Sequence, residues 1–293
     1  MLTPAQLEAR SESPRTRRAR PVLSPKQHYQ EYVFQRIEDY KNSLARDELL
    51  RLGNDAALEI QDATEGQYFL TEVVMQETVD DIIRKRLRLP SFKRWREKHA
   101  KVRQAQKSPT HWGLERNSVV AAILPRLEQG DRAMVVGGGA EAAVYLLAAH
   151  DVHLTCLFGD NATCTRIETR MAAESLTGNF EAFVAMLGNW FPCLDQQVHL
   201  VVIDAGTLAA LPSPRRVALM ARLQDATSPG GIHAVMPGGG GGGAAEAWVS
   251  LYPDWERIPV PARSTRTRGK RETSPGVLMS RPFPKATSQA STA

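Results

Sequence analysis

Cysteine is scarce in this chain: Cys156, Cys164 and Cys193 are the only three among 293 residues. They show neither CxxC spacing nor a histidine-rich neighbourhood, which excludes a zinc ligand set and a disulfide framework, and a reducing cytoplasm is the expected setting. Long apolar runs are missing too. No stretch approaches the roughly 20 apolar residues needed to span a bilayer, and the start, "MLTPAQLEARSESPRTRRARP", lacks the apolar core of a signal peptide. Any membrane association is therefore expected to be peripheral. The excess of one charge sign is small, +5, so local patches matter more than the total. With 42% hydrophobic, 24% charged and 6% aromatic residues, the composition fits one domain with a substantial core and additional segments.

Residues 1–22 are polar, Pro-containing and Arg-rich, a composition too poor in apolar surface to fold alone, and read as a disordered basic arm. Ser24 and Pro25 supply an N-cap and first turn. Tyr29, Val33, Ile37, Tyr40 and Leu44 then recur at helical spacing, which predicts one helix running to Gly53. A second helix is expected over 69–87, with Leu70, Val73, Val74, Ile82 and Ile83, stopping before Pro90. A third runs from Phe92 to about Gln106, and a short apolar helix lies within 108–131. Residues 23–114 thus read as a helical N-terminal extension.

From Ala133 the pattern alternates between strand and helix signals, arguing for a parallel sheet with crossover helices. Strands are expected at 133–136, 153–158, 182–187, 199–203 and 232–236, with helices at 140–149, 161–175 and 213–225. "WERIPVP" and "GVLMSRP" supply two late strands around a basic loop, and residues 283–293 read as a flexible tail. The six glycines from Gly238 to Gly243 read as a flexible insert, because a phosphate cradle needs a defined turn.

"RAMVVGGGAEAAVYLLAAH", "VHLTCLFGDNATCTRIETRM", "VHLVVIDAGTLAALPSPRRVALMARL" and "LQDATSPGGIHAVMP" occur in that order. With these four stretches, residues 115–282 resemble a class I S-adenosylmethionine-dependent methyltransferase domain. The Pro-Gly-Gly turn before the fifth strand discriminates most. The fold class implied is α/β, a seven-stranded Rossmann-like methyltransferase fold with a helical N-terminal extension. A nicotinamide-dinucleotide domain is the other reading of the loop. Gly137, Gly139 and Ala142 satisfy G-x-G-x-x-A, and Asp160 follows at roughly the spacing of that fingerprint's acid.

The resemblance implies S-adenosylmethionine as cofactor, with Gly137, Gly138 and Gly139 admitting its amino-acid moiety, and no metal. Acids are expected in the first strand and at the end of the second, the latter for the ribose hydroxyls. Val135 and Phe158 occupy those two positions, and Glu141 replaces the third glycine. Asn189 takes the adenine-side position, and His199 replaces an acid that often begins the fourth strand. Asp160 lies two residues past the ribose position, and Asp204 closes the fourth strand, where open parallel sheets bind ligands. Each unpaired buried ligand donor costs about 1–3 kcal/mol. Together the departures predict a loss of affinity comparable to the step from micromolar to millimolar. No catalytic residue is assigned.

His99, His150, His153 and His233 show no ligand spacing. Trp112 is expected beneath the sheet, with capping of the cofactor pocket by His111 and Trp112 as the other reading. Trp190 and Phe191 are expected to close the core. The stretch 84–103 holds ten Lys or Arg and one acid, Glu97, too few acids at i+4 to relieve the repulsion. Arg84, Lys85, Arg86, Arg94, Arg96, Lys98 and Lys101 are accordingly the candidate contacts to an anionic partner: a larger protein assembly, anionic lipid headgroups or nucleic acid. Only Phe92 and Trp95 interleave as aromatics, so nucleic-acid recognition has little motif support. Two function classes follow. One is an accessory subunit of impaired catalysis that docks on a larger, soluble or membrane-bound, assembly. The other is an active methyltransferase whose acidic or nucleic-acid-bound substrate is recruited by the same extension.

Overall fold

The computed structural model describes residues 24–63, 72–238, 246–260 and 276–283. The Arg-rich arm, Leu70, Gly239 to Gly243, the basic loop near residue 266 and the tail beyond residue 283 lie outside the described residues. The chain divides into two compact units, one from Pro21 to Arg103 and one containing the chain from Gln104 onward.

In the first unit, α1 (Pro25–Ser43) opens with a full capping box. Ser24 Oγ accepts from Gln27 N at 3.3 Å, and the Gln27 side chain accepts from Ser24 N at 2.7 Å. The single helix expected to reach Gly53 is in fact two. Leu44 is extended, at φ −86° and ψ 146°, and α2 (Arg46–Ala63) restarts with Gly53 in its interior. The restart has a local cause that periodicity conceals. Glu48 reaches back to accept from Ala45 N at 3.2 Å, satisfying a donor at the new helix start. Helices α3 (Glu72–Arg86) and α4 (Phe92–Gln106) follow. Val33, Ile37, Leu52 and Ile83 form the buried centre, flanked by Tyr29, Tyr40 and Leu44 of the expected stripe.

In the second unit the described residues form one seven-stranded sheet of order β3-β2-β1-β4-β5-β7-β6. Its strands are β1 (Arg132–Val136), β2 (His153–Phe158), β3 (Phe180–Val184), β4 (Val198–Asp204), β5 (Thr227–Met236), β6 (Glu256–Ile258) and β7 (Val277–Ser280). The first five in that order are parallel, and β7 runs antiparallel to β5 and β6. Central β1 and β4 are almost wholly buried, as near-continuous apolar runs in a doubly covered parallel sheet should be. Side chains alternate between two cores. Ala133 and Val135 face α5 (Val119–Ile123), α6 (Glu141–Ala149) and α7 (Asn161–Ala173), whereas Met134 and Val136 face α8 (Ala205–Ala210) and α9 (Ser213–Ala226). Helix α6 is apolar nearly all round and correspondingly buried. A last short helix, α10, covers Glu246–Val249.

The Pro-Gly-Gly turn lies inside the span of β5. Gly230, at φ +77°, donates to Arg281 O at 3.0 Å, and an added Cβ would strike the Phe283 ring. Glycine is therefore required there.

His233 of β5 is fully buried between Tyr252 and Trp255. Thr227 Oγ1 donates to Leu223 O and so accepts from His233 Nε2, at 2.8 Å. Nδ1 then accepts from Tyr252 Oη at 3.0 Å. Burial pushes the imidazole pKa down to about 3. Unfolded histidine binds a proton below about pH 6.5, so between the two values the unfolded state holds one more proton and stability falls with falling pH by up to about 1.4 kcal/mol per unit. We expect the stability gap between the native chain and His233→Asn, measured by urea unfolding, to narrow at about that rate from pH 6 to pH 4. A gap independent of pH would contradict a neutral buried imidazole.

Candidate functional site

Helices on opposite faces leave β1 and β4, so the crevice beyond their carboxyl ends is the topological switch point where α/β sheets bind ligands. Gly137 opens the loop there at φ +94° and donates to Leu157 O at 2.9 Å. All three glycines are hemmed in. A Cβ on Gly137 would collide with the Thr207 hydroxyl and stand 2.7 Å from Thr207 Cβ, and one on Gly138 would lie 3.1 Å from Thr163 Cγ2. On Gly139 it would fall 2.5–2.7 Å from the Asp204 carboxylate atoms.

Asp204 is buried and caps α8. Its Oδ1 accepts from Gly206 N at 3.1 Å, and its Oδ2 from Thr207 N at 3.0 Å and Thr207 Oγ1 at 2.7 Å. Asp160 does the same for α7: Oδ1 accepts from Thr163 N at 2.7 Å and Oδ2 from Thr163 Oγ1 at 2.8 Å. Those bonds hold the Asp160 carboxyl below the usual range. Both acids therefore sit in one local motif, D-x-x-T at a strand-to-helix turn. Its threonines flank the glycine loop, Thr207 against Gly137 and Thr163 against Gly138.

Val135 and Phe158 have no exposed surface and belong to the core shared with α6 and α7. Glu141, at the start of α6, spans to α7. Oε1 accepts from Tyr145 Oη at 2.5 Å, and Oε2 meets Arg166 at 2.9 Å and 3.1 Å. Burial, and then the Glu141 carboxylate, push the Tyr145 phenol pKa upward. His199 is half-exposed, 3.5 Å from Asp131.

Asn189 lies in an exposed turn past β3, where its backbone N donates to Met186 O at 3.0 Å and its amide nitrogen lies 3.1 Å from Met186 Sδ. No contact with the glycine loop is described for it. Trp112 is buried against Tyr145 under the Arg170 guanidinium, and its indole donates to Gln106 O at 2.7 Å, while His111 is exposed; this is the expected packing role. Trp190, expected in the core, is instead 46% exposed and touches Phe183 at the sheet edge, and Phe191 is partly buried. Among the described residues β3 is an edge strand, with no neighbour on that side.

Two surface cavities are described, about 360 Å³ beside Phe191, Leu194, Arg222 and Asp225, and about 210 Å³ beside Ile123, Arg126, Ile258 and Leu278. Neither is lined by the glycine loop. No group of three or more metal-ligating side chains occurs among the described residues, and none of their helices is long and apolar enough to cross a membrane.

Sequence reasoning missed Thr163, Thr207, Arg166 and Tyr145, the residues that engage the three carboxylates. The D-x-x-T repeat and the Glu141/Tyr145 spacing of i,i+4 were signals available for all but Arg166.

The basic candidates separate into two groups. Arg84 pairs with Asp81 at 3.6 Å, Lys85 with Glu59 at 2.7 Å and Arg86 with Asp55 at 2.7 Å. Thus α2 supplies two of the acids that are lacking within the run. For Arg94, Arg96, Lys98 and Lys101, all exposed on α4, no ion pair is described.

No protein-family model matches the chain, and no curated protein matches it. Many solved structures do. An rRNA methylase from Streptococcus thermophilus is 13% identical at a TM-score of 0.45, over 57% of this chain and 95% of its own. The glycopeptide N-methyltransferase MtfA complexed with S-adenosylmethionine is 17% identical at 0.33, over 38% and 46%. The [4+2]-cyclase SpnF is 17% identical at 0.37, over 45% and 56%. The chain spans less than half the length of the first structures it matches. Its class is defined by its own topology: a seven-stranded Rossmann-like methyltransferase fold, with the parallel order and antiparallel terminal strand that the resemblance implies.

The donor set departs from the one that S-adenosylmethionine, the group this fold implies, is expected to meet. The position for a ribose-binding acid holds a core phenylalanine, both oxygens of Asp160 and Asp204 are engaged by their own helices, and the Asp204 carboxylate lies against Gly139.

Proposed function

We propose that this chain uses the methyltransferase fold as a rigid scaffold of impaired or absent methyl-transfer activity, and serves as an accessory subunit that docks on an anionic partner through its basic helical unit. The impaired-catalysis part of the reading is supported by one observation: Asp160 and Asp204, at the strand ends beside the glycine loop, both serve D-x-x-T helix caps whose threonines close on that loop. Of the roughly four acceptor sites of a carboxylate, two on Asp160 and three on Asp204 are taken by protein donors, and swinging either side chain fully onto a ligand would uncap a helix at about 0.5–2 kcal/mol. Thermal denaturation gives a simple test. A ligand present at about 100 times its Kd stabilises a protein by about 2.7 kcal/mol. Millimolar S-adenosylmethionine should therefore leave the melting temperature unchanged, whereas a rise of several degrees would support the active methyltransferase.

A further inference from the structure

We propose that the outer face of α4 is a docking surface for B-form double-helical DNA; this rests on the reading of the chain as a scaffold with an anionic partner, and names that partner.

The unbalanced positive charge of the basic run is concentrated on α4. Asp81, Glu59 and Asp55 balance Arg84, Lys85 and Arg86. Lys93, Arg94, Arg96, Lys98 and Lys101 are exposed, and no ion pair is described for any of them. Their arrangement around the helix selects the shape of the partner. At about 100° per residue, Phe92, Trp95 and His99 define the inward stripe. Glu97 stands near the middle of the outward arc, with Lys93 and Arg96 on one flank and Arg94, Lys98 and Lys101 on the other. The cations cover roughly 200° of the circumference. A flat anionic bilayer would meet Lys93, Arg94 and Lys101 and leave Arg96 and Lys98 turned away, whereas a groove with phosphates on both walls meets all five.

The rings of α4 point the same way. Trp95 is 8% exposed, with Tyr29 at 5.5 Å and His99 stacked at 4.6 Å, and Phe92 also lies 5.5 Å from Tyr29. Neither ring is free to enter a membrane interface or to stack on single-stranded bases. The major groove of B-form DNA, about 12 Å wide, admits an α-helix, while that of A-form RNA is too deep and narrow. Glu97 would repel a bilayer or an acidic protein. On a groove floor its carboxylate can accept from cytosine N4.

The test uses the full chain and fluorescence anisotropy with a mixed-sequence duplex DNA of about two turns, titrated between about 50 and 200 mM salt. With about five phosphate contacts, log K should fall against log salt with a slope of about −4 to −5. The combined Arg94→Gln, Arg96→Gln, Lys98→Gln and Lys101→Gln variant should bind at least tenfold more weakly with a slope flatter by about 3 to 4, whereas Lys85→Gln with Arg86→Gln should change the slope by less than about 1. Circular dichroism melting establishes that each variant folds. The native chain also discriminates alone: it should prefer duplex DNA to duplex RNA of the same sequence and to phosphatidylserine vesicles. Equal or tighter binding to RNA or vesicles, or a slope unaltered by the quadruple change, overturns the proposal. None of these outcomes bears on cofactor binding, so the scaffold reading stands or falls separately.

Discussion

Replacing Phe158 with aspartate, the residue type that the methyltransferase resemblance places at the end of the second strand, is expected to destroy the native fold rather than restore a ribose contact. Phe158 has no exposed surface and packs in the core built by α6 and α7. Removing a buried phenylalanine costs about 3–5 kcal/mol. Burying a carboxylate without partners adds several more, less whatever the group recovers by taking up a proton. The sum is comparable to the whole stability of a domain, about 5–15 kcal/mol. Phe158→Asp should accumulate as insoluble or unfolded chain, while the apolar, smaller Phe158→Leu should fold and lose only about 1–2 kcal/mol in urea unfolding. Near-native stability of Phe158→Asp would mean that position 158 faces the crevice, and the account of a closed site would be wrong at that point.

Gly137→Ala is expected to have the second-largest effect. At the positive φ of this residue an alanine is strained by about 1–3 kcal/mol. Its methyl group would also collide with the Thr207 hydroxyl and stand 2.7 Å from Thr207 Cβ, held in place by the bond from Thr207 Oγ1 to Asp204. Overpacking of that kind adds about 1–3 kcal/mol. For a unit of this size each kcal/mol shifts the melting temperature by about 2–4 °C, so a fall of roughly 5–20 °C is expected by calorimetric scan. Thr207→Ala in the same chain should recover part of the loss by removing the colliding hydroxyl. No recovery would show that backbone strain and the contact with Thr207 Cβ, rather than the hydroxyl, set the cost.

Much of the sheet was legible because its signals are local. β2 falls at 153–158 as expected, and β1, β4 and the helices 141–149 and 213–226 lie within a residue or so of their expected bounds. Apolar runs between Gly, Asp and Pro punctuation fix such elements whatever their neighbours do. The break at Leu44 was not legible from periodicity, since Tyr40 and Leu44 continue the stripe across it; only the reach of Glu48 to Ala45 N marks the restart. Trp190 was misplaced because the identity of the edge strand is a property of topology, not of the residues near it. At the site, the substitutions at 135, 141 and 158 could be read from motif register. How Asp160 and Asp204 are employed is marked instead by the threonine at i+3 of each, a signal outside that register. The basic run was legible as charge but not as pairing, because Asp55 and Glu59 reach it from another helix.

Isothermal titration calorimetry with S-adenosylmethionine and its demethylated product, on the purified full chain at neutral pH, tests the central claim most directly. With Val135, Phe158 and Glu141 in place and both Asp–Thr caps closed on the glycine loop, no saturable heat is expected, corresponding to dissociation constants of about 1 mM or weaker, or no more than about 4 kcal/mol of binding free energy. A one-site isotherm in the low-micromolar range, about 8 kcal/mol, would show that the crevice accepts the ligand despite the two caps, and would contradict the scaffold account in favour of an active methyltransferase.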